Sequence, residues 1–237
     1  MGVPPRRFIL DLHNHTHHSH DGVMSPLELL QAAAAAGVDC VGVTDHGTTR
    51  GGLEAAALAE ADPDLPRVIV GQETFTTQGE VIGLYVADDV PTGLTFAETV
   101  AAIRRQGGLV YLPHPYDALR RATVHAGVVE QAAAAADIIE VENGRSLRRS
   151  FNRSARRLAA RHGRAGGGGS DAHYAGELGR AVSEVSRMPE RGDLVALLHE
   201  GRSRSREGPA QSLLSLWFLV RVGVDKVRTR LDHRLRG

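Results

Sequence analysis

Two histidines one residue apart, His13 and His15, stand in the segment "DLHNHTHHSHDG", which holds five of the chain's twelve histidines. At a strand end such a pair sends both imidazoles to one side, with Asn14 pointing the other way, because successive side chains of a strand alternate. Similar groups follow downstream: Asp45 and His46 in "TDH", Glu73 in "GQE", His114 in "PHP", Glu142 in "IIEVE", and Asp171 and His173 in "GSDAH". Imidazole nitrogens and carboxylate oxygens are ligands for zinc, manganese or iron. The set exceeds the needs of one ion. It points to two or three divalent ions bridged by a carboxylate, a cluster that activates water and clamps phosphoryl oxygens during in-line displacement.

Groups so far apart in the chain meet only if the fold gathers them. Short β-branched runs ("RFILDL", "VDCVGVT", "RVIVG", "EVIGLYV", "GLVYLP", "DIIEVE" and, more weakly, "AVSEV") alternate with Ala/Leu-rich segments. "SPLELLQAAAAAG" carries a serine cap, a first-turn proline and a terminal glycine; "TFAETVAAIRRQGG" carries a Thr95/Glu98 capping box. "VVEQAAAAAD" and "SLRRSFNRSARRLAARHG" also read as helices. Strand–helix alternation predicts parallel βα units in a barrel or an open sheet. Every candidate residue falls at the C-terminal end of an expected strand, and in a βα barrel those ends converge on one face. "RAGGGG" stands where another strand is due. Glycine disfavours strand interiors, so this strand is expected to be short or loosely held.

"DLHNHT", "TDH", "GQE", "PHP" and "GSDAH", in this order, resemble the motifs of the PHP (polymerase and histidinol phosphatase) domain family. The resemblance implies an α/β fold, a distorted (β/α)7 TIM-like barrel with a metal site at the strand C-terminal ends, over residues 1–200. It implies a metal-dependent phosphoesterase with two or three ions (Zn, Mn or Fe). His13, His15, Glu73 and Asp171 would hold one ion. Glu73 would bridge to a second with His114, and Asp21, His46 and His173 would hold a third. His20 competes with Asp21 for its role. Glu73 and His173 are the expected catalytic residues. Many members carry a histidine after the bridging glutamate; here "GEVIGLYV" has none, and Glu80 is the available oxygen ligand.

Arg145, following "VEN", could fork onto a substrate phosphate, as could Arg121. Asp45 is expected to orient its neighbours by hydrogen bonds. His17, His18, His125, His162, His199 and His233 read as solvated or packing residues. A metal-activated water also attacks amides, so an amidohydrolase is the second reading. A non-catalytic, metal-stabilised scaffold is the third.

The bulk composition narrows the partners. Formal net charge is zero and aromatics are 4% of residues. That argues against long nucleic acid and for a small phosphorylated substrate. Cys40, the single cysteine, reads as a core residue and suits a reducing cytoplasm. The N-terminus lacks a signal-peptide apolar run. Residues 201–237 are expected to form a separate piece, a flexible linker "GRSRSREGP" and a basic amphipathic helix. That helix would pack on the barrel or another subunit, or touch a membrane peripherally. Oligomeric state is not encoded in any motif.

Overall fold

The computed structural model describes residues 6–117 and 123–205. Its strands are β1 (Phe8–Asp11), β2 (Cys40–Val43), β3 (Arg67–Thr76), β4 (Gly79–Leu84), β5 (Leu109–Leu112), β6 (Ile138–Asn143), β7 (Ala165–Gly169), β8 (Ala181–Val185) and β9 (Arg202–Ser205). The helices are α1 (Pro26–Ala35), α2 (Arg50–Ala61), α3 (Phe96–Arg105), α4 (Val129–Ala135), α5 (Arg149–His162) and α6 (Leu194–Glu200).

Local chemistry sets the helix ends. The hydroxyl of Ser25 accepts from Glu28 N–H and the Glu28 carboxylate accepts from Ser25 N–H, closing the box that starts α1. Thr95 and Glu98 do the same for α3. Gly163 takes the left-handed conformation, φ 59°, that ends α5.

The strands form one sheet in the order β7-β6-β5-β4-β3-β2-β1-β8-β9. The terminal strand β7 comes round to the chain just after β1: Leu12 N–H donates to Gly168 O at 3.1 Å and Asp171 N–H to His13 O at 2.7 Å. The sheet is a nearly closed, distorted barrel, as expected. It is not a uniform βα repeat. β4 runs antiparallel to both β3 and β5, and β8 runs antiparallel to β1 and β9. Leu10, Leu12, Ile82, Leu84, Tyr111 and Ile138 fill the barrel, and Leu194, Leu197 and Leu198 of α6 join the same cluster. Cys40 lies in that core, as expected. Outside the barrel, apolar faces of α1 and α2 pack over one stretch of the sheet, and those of α3, α4 and α5 over another.

Two expectations are corrected. The glycine run forms β7, buried and paired in parallel with β6. A Cβ on Gly167 would sit 2.7 Å from the Tyr111 ring, and one on Gly169 2.4 Å from His13 Cβ. Larger neighbours fill the space the glycines leave. The linker reading of residues 202–205 also fails, because they are β9. Ser203 and Ser205 reach Gly166 O and Glu142, while Arg202 and Arg204 pair with Glu184. The expected C-terminal helix lies outside the described residues.

Candidate metal centre

The centre begins where β1 ends. Asp11 is fully buried and accepts from Ser170 N–H (2.8 Å), Gly179 N–H (3.0 Å) and Asn14 Nδ2 (2.9 Å). Burial pushes its carboxyl up to about 6, against the pull of the Ser170, Gly179 and Asn14 hydrogen bonds. Asn14 is thereby turned away, also donating to the backbone of Asp11 and Gly42. His13 and His15 face the barrel mouth, both fully buried. The alternation expected of this segment is what the structure shows.

Each imidazole is aimed by a partner on its far nitrogen. His13 Nδ1 lies 3.0 Å from Glu140 Oε1. His15 Nδ1 lies 3.1 Å from Ser19 Oγ, which donates to Asp45 Oδ1 at 2.7 Å and so receives the His15 N–H. Asp45 also accepts from Thr16 N–H and hydroxyl, at 2.7 Å each. Asp45 therefore fixes the loop that aims His15, the orienting part expected of it. The Nε2 atoms of His13 and His15 are left inward, 3.1 Å apart, and both approach Glu73 Oε2 at 3.1 and 3.3 Å. Asp171 Oδ1 stands 3.8 and 3.6 Å from them.

Glu73 is the hub. Its Oε1 is 3.3 Å from His114 Nε2, and its Oε2 is 3.5 Å from His46 Nδ1. Asp21 closes the far side, with Oδ2 3.3 Å from His173 Nε2 and Oδ1 3.8 Å from His46 Nε2. His20, its rival, has a mostly exposed ring and sits 3.8 Å from Asp21, at the cavity rim. His114 and Asp171 adopt positive φ, 27° and 54°. Such strain, about 1–3 kcal/mol per residue, persists only where the surroundings hold it. Here Glu140 Oε2 accepts from His114 N–H at 2.8 Å, and the Asp171 N–H is held by His13 O.

The buried carboxylates and imidazoles shift one another's titration. Burial disfavours charge on His13, yet Glu73, Asp171 and Glu140 outweigh it and hold its pKa well above the usual imidazole range. Burial opposes charge on His15 too, but Asp171 and Glu73 bring it up to about 9. Burial also opposes the charge on Glu73, while His13, His46 and His114 hold it well below the carboxylate range. Asp21 is likewise low, because His173, His15 and His46 overcome its burial. Burial takes His46 down to about 4, and burial with the Arg145 charge takes His173 to about 3.

A cavity of about 260 Å³ opens over these groups. Arg145 lines it, with Nη1 2.7 Å from His173 Nδ1 and 3.8 Å from Asp171 Oδ1, and Nε 3.8 Å from Glu177 Oε1. Arg121 lies outside the described residues. His18 pairs with Glu54 and His162 with Glu130, away from the cluster.

One candidate is misplaced and two residues were missed. Glu142 does not join the cluster; it pairs with Arg156 and with Ser205 Oγ. Period-two alternation would put Glu140 and Glu142 on one face, but a bulge between them breaks the register. Glu140 is the one turned inward, accepting also from Tyr111 OH at 3.0 Å and Asn143 Nδ2 at 2.9 Å. Its position two residues before Glu142 was the available signal. Glu177, fully buried, accepts from His173 N–H at 2.9 Å; nothing in its neighbourhood of sequence marks it.

Comparison with known proteins gives one consistent result. Residues 11–120 match the PHP domain, and residues 149–203 match the PHP-associated family. An uncharacterized protein of Methanocaldococcus jannaschii is 39% identical over 122 residues, spanning 47% of this chain and 70% of the relative. A two-domain protein of Bacteroides vulgatus containing a predicted PHP-like metal-dependent phosphoesterase superposes with TM-score 0.68 at 20% identity, covering 88% of this chain and 68% of that one. The lesion-specific endonuclease PfuEndoQ of Pyrococcus furiosus gives 0.55 at 17% identity, over 84% of this chain and 58% of its own. At those identities the two structures speak to fold alone. Motif order, the gathered His/carboxylate set and these matches agree: the chain belongs to the PHP domain family.

Proposed function

We propose that the protein is a metal-dependent phosphoesterase acting on a small phosphate ester: a nucleotide, a short oligonucleotide or a phosphomonoester of the histidinol phosphate kind. One observation carries the reading. Asp21 Oδ1, His46 Nδ1 and Glu73 Oε1 are buried without a hydrogen-bond partner and converge in one cavity. An orphaned buried polar atom costs about 1–3 kcal/mol, and three around one cavity are what a cation would satisfy. The donor set fits two or three divalent ions. His13, His15 and Asp171 would serve one, Glu73 and His114 another, and Asp21, His46 and His173 a third, with Glu73 shared.

Divalent ions in such a site, when bound, supply an activated water and neutralise charge gathering on phosphoryl oxygens. The chain's own residues do the rest. Arg145, braced by Asp171 and Glu177, offers its guanidinium to the non-bridging oxygens. His173, neutral at pH 7, suits a lone-pair donor. Glu140, Ser19 and Asp45 hold His13 and His15 so that their Nε2 atoms face inward. The size of the cavity suits a small ester rather than a threaded strand. Arg145 favours phosphate over the amide alternative, since an amide gives a guanidinium no anion to bind.

The test is elemental analysis of the purified protein, paired with phosphate release from nucleotides and phosphomonoesters with manganese, zinc or iron added. Two or more bound ions and metal-restored phosphate release support the reading. One ion or none, with no turnover under any metal, overturns it in favour of a scaffold.

A further inference from the structure

Phe75 gives the cavity an apolar surface that its other walls lack. Among the described residues, everything else lining the cavity is a histidine, a carboxylate or Arg145. Phe75 stays 37% exposed there. Its place is fixed by the sheet. It lies two residues beyond Glu73 on β3 and opposite Glu80 of β4, while Glu73 stands opposite Ile82. Side chains two apart on a strand share a face, so the strand that supplies the hub also carries this ring over the cavity. A one-residue slip would turn Phe75 outward. The hairpin prevents that slip, with six consecutive pairs from Gly71–Leu84 to Thr76–Gly79, and Gly93 N–H donates to Phe75 O at 2.8 Å.

The ring has a partner inside the protein and surface to spare. It stacks on His46, with centroids 5.0 Å apart and planes 20° apart, and the His20 ring stands tilted 6.3 Å away. These contacts leave more than a third of the residue in water. Wet aromatic surface held on a rigid backbone is surface that a ligand covers at little ordering cost. Arg145 belongs to a different ring. Its Nη1 is 2.7 Å from His173 Nδ1, and the His173 ring lies 6.3 Å from that of His46. The guanidinium and the phenyl ring thus occupy separate parts of one cavity. A phosphate ester also has two parts, an anion and an alcohol. Arg145 is suited to the anion, and Phe75 is the apolar contact left for the alcohol. A saturated sugar gains little from a phenyl face. A planar heteroaromatic ring stacks on it, whatever the pattern of its hydrogen-bonding edge.

We propose that Phe75 is a specificity-determining residue: its ring stacks against a planar ring, of the nucleobase kind, carried by the leaving alcohol while the phosphate lies toward Arg145. This rests on the phosphoesterase reading given above. The preference is for the ring itself and not for one base, since Phe75 offers a face and no hydrogen-bonding group.

The test compares adenosine 5′-monophosphate with ribose 5-phosphate, which keeps the phosphate and sugar and lacks the base. Full-length protein loaded with the metal that restores phosphate release is assayed on both, with bound ions counted by plasma mass spectrometry for every variant. Wild type is expected to prefer the nucleotide. Phe75→Leu still packs against His46, so its ion count should hold. Its kcat/KM for the nucleotide should fall roughly 5- to 100-fold, mostly through KM, the range that one base stacked on one aromatic side chain supplies. Its kcat/KM for ribose 5-phosphate should stay. Phe75→Trp should restore the preference, which separates stacking from a folding defect. Equal use of the two substrates by wild type overturns the proposal and leaves the phosphoesterase reading standing. So does a parallel fall on both substrates, or a loss of ions, in Phe75→Leu, because either would confine Phe75 to holding His46. If wild type releases phosphate from no ester under any metal, the phosphoesterase reading falls first, and the proposal falls with it.

Discussion

The Nε2 atoms of His13 and His15 face each other across 3.1 Å, each with a carboxylate beside it and a partner behind it. The neighbouring carboxylates favour protonated imidazoles at this pair, and a metal would displace those protons. Folding raises the pKa of His15 from 6.5 to about 9, and that of His13 well above the usual imidazole range. A raised basic group stabilises the fold fully below its unfolded pKa, and that stabilisation is lost as pH climbs through the folded one. The melting temperature of chelator-treated protein should therefore fall between about pH 6.5 and 9. Metal loading at pH 7.5 should release protons, visible as calorimetric heats that vary with the ionisation enthalpy of the buffer. A melting temperature flat over that range would show that the carboxylates do not hold these protons.

Glu140 aims His13 and braces the strained His114. Its two oxygens receive His13 Nδ1, Tyr111 OH, His114 N–H and Asn143 Nδ2. Glu140→Gln keeps the shape but puts an N–H₂ group where an acceptor is needed. Metal affinity should drop by about 10- to 100-fold, with stability lower by roughly 1–3 kcal/mol. Equilibrium metal competition and thermal melting read the two effects separately. Unchanged metal affinity would confine Glu140 to a packing role.

The glycines of β7 give a purely steric prediction. A Cβ on Gly169 would lie 2.4 Å from His13 Cβ and 2.6 Å from Glu140 Oε1, both fixed by their own bonds. Gly169→Ala should cost about 1–3 kcal/mol by overpacking and weaken metal binding, because His13 must move. Gly192 has nothing within 4 Å of its Cβ position. Gly192→Ala should stay within about 0.5 kcal/mol of wild type. Equal melting temperatures for the two variants would mean that β7 shifts freely.

What could be read from the sequence follows from which signals are local. Helix caps such as Ser25/Glu28 lie within four residues, and both boxes formed. The His13-x-His15 alternation is a property of one strand. Glu140 needed pairing information instead: the bulge in β6 that separates it from Glu142. β7 was obscured because its fitness is a relation to Tyr111, Val141 and His13, not a propensity of glycine. β9 did carry a period-two signal, with Arg202 and Arg204 on one face and Ser203 and Ser205 on the other. Without an apolar residue in it, the run read as a linker.

Cys40 provides a last check, on the core rather than the centre. It lies on β2 against Leu10 and Ile69, 2% exposed. Burial pushes its thiol up to about 12, with Arg67 pulling slightly down and Asp39 up. The thiolate is the reactive form, so the native protein should resist iodoacetamide and disulfide reagents at pH 8 while the denatured chain reacts at once. For an acid whose pKa rises on folding, the neutral form belongs to the native state. Stability should be level in this group below pH 9 and decline as pH rises from 9 toward 12. Cys40→Ser should cost about 1–3 kcal/mol, through a hydroxyl placed among apolar side chains. Rapid labelling of folded protein at pH 8 would place Cys40 at an opening of the barrel wall and remove β2 from the closed core.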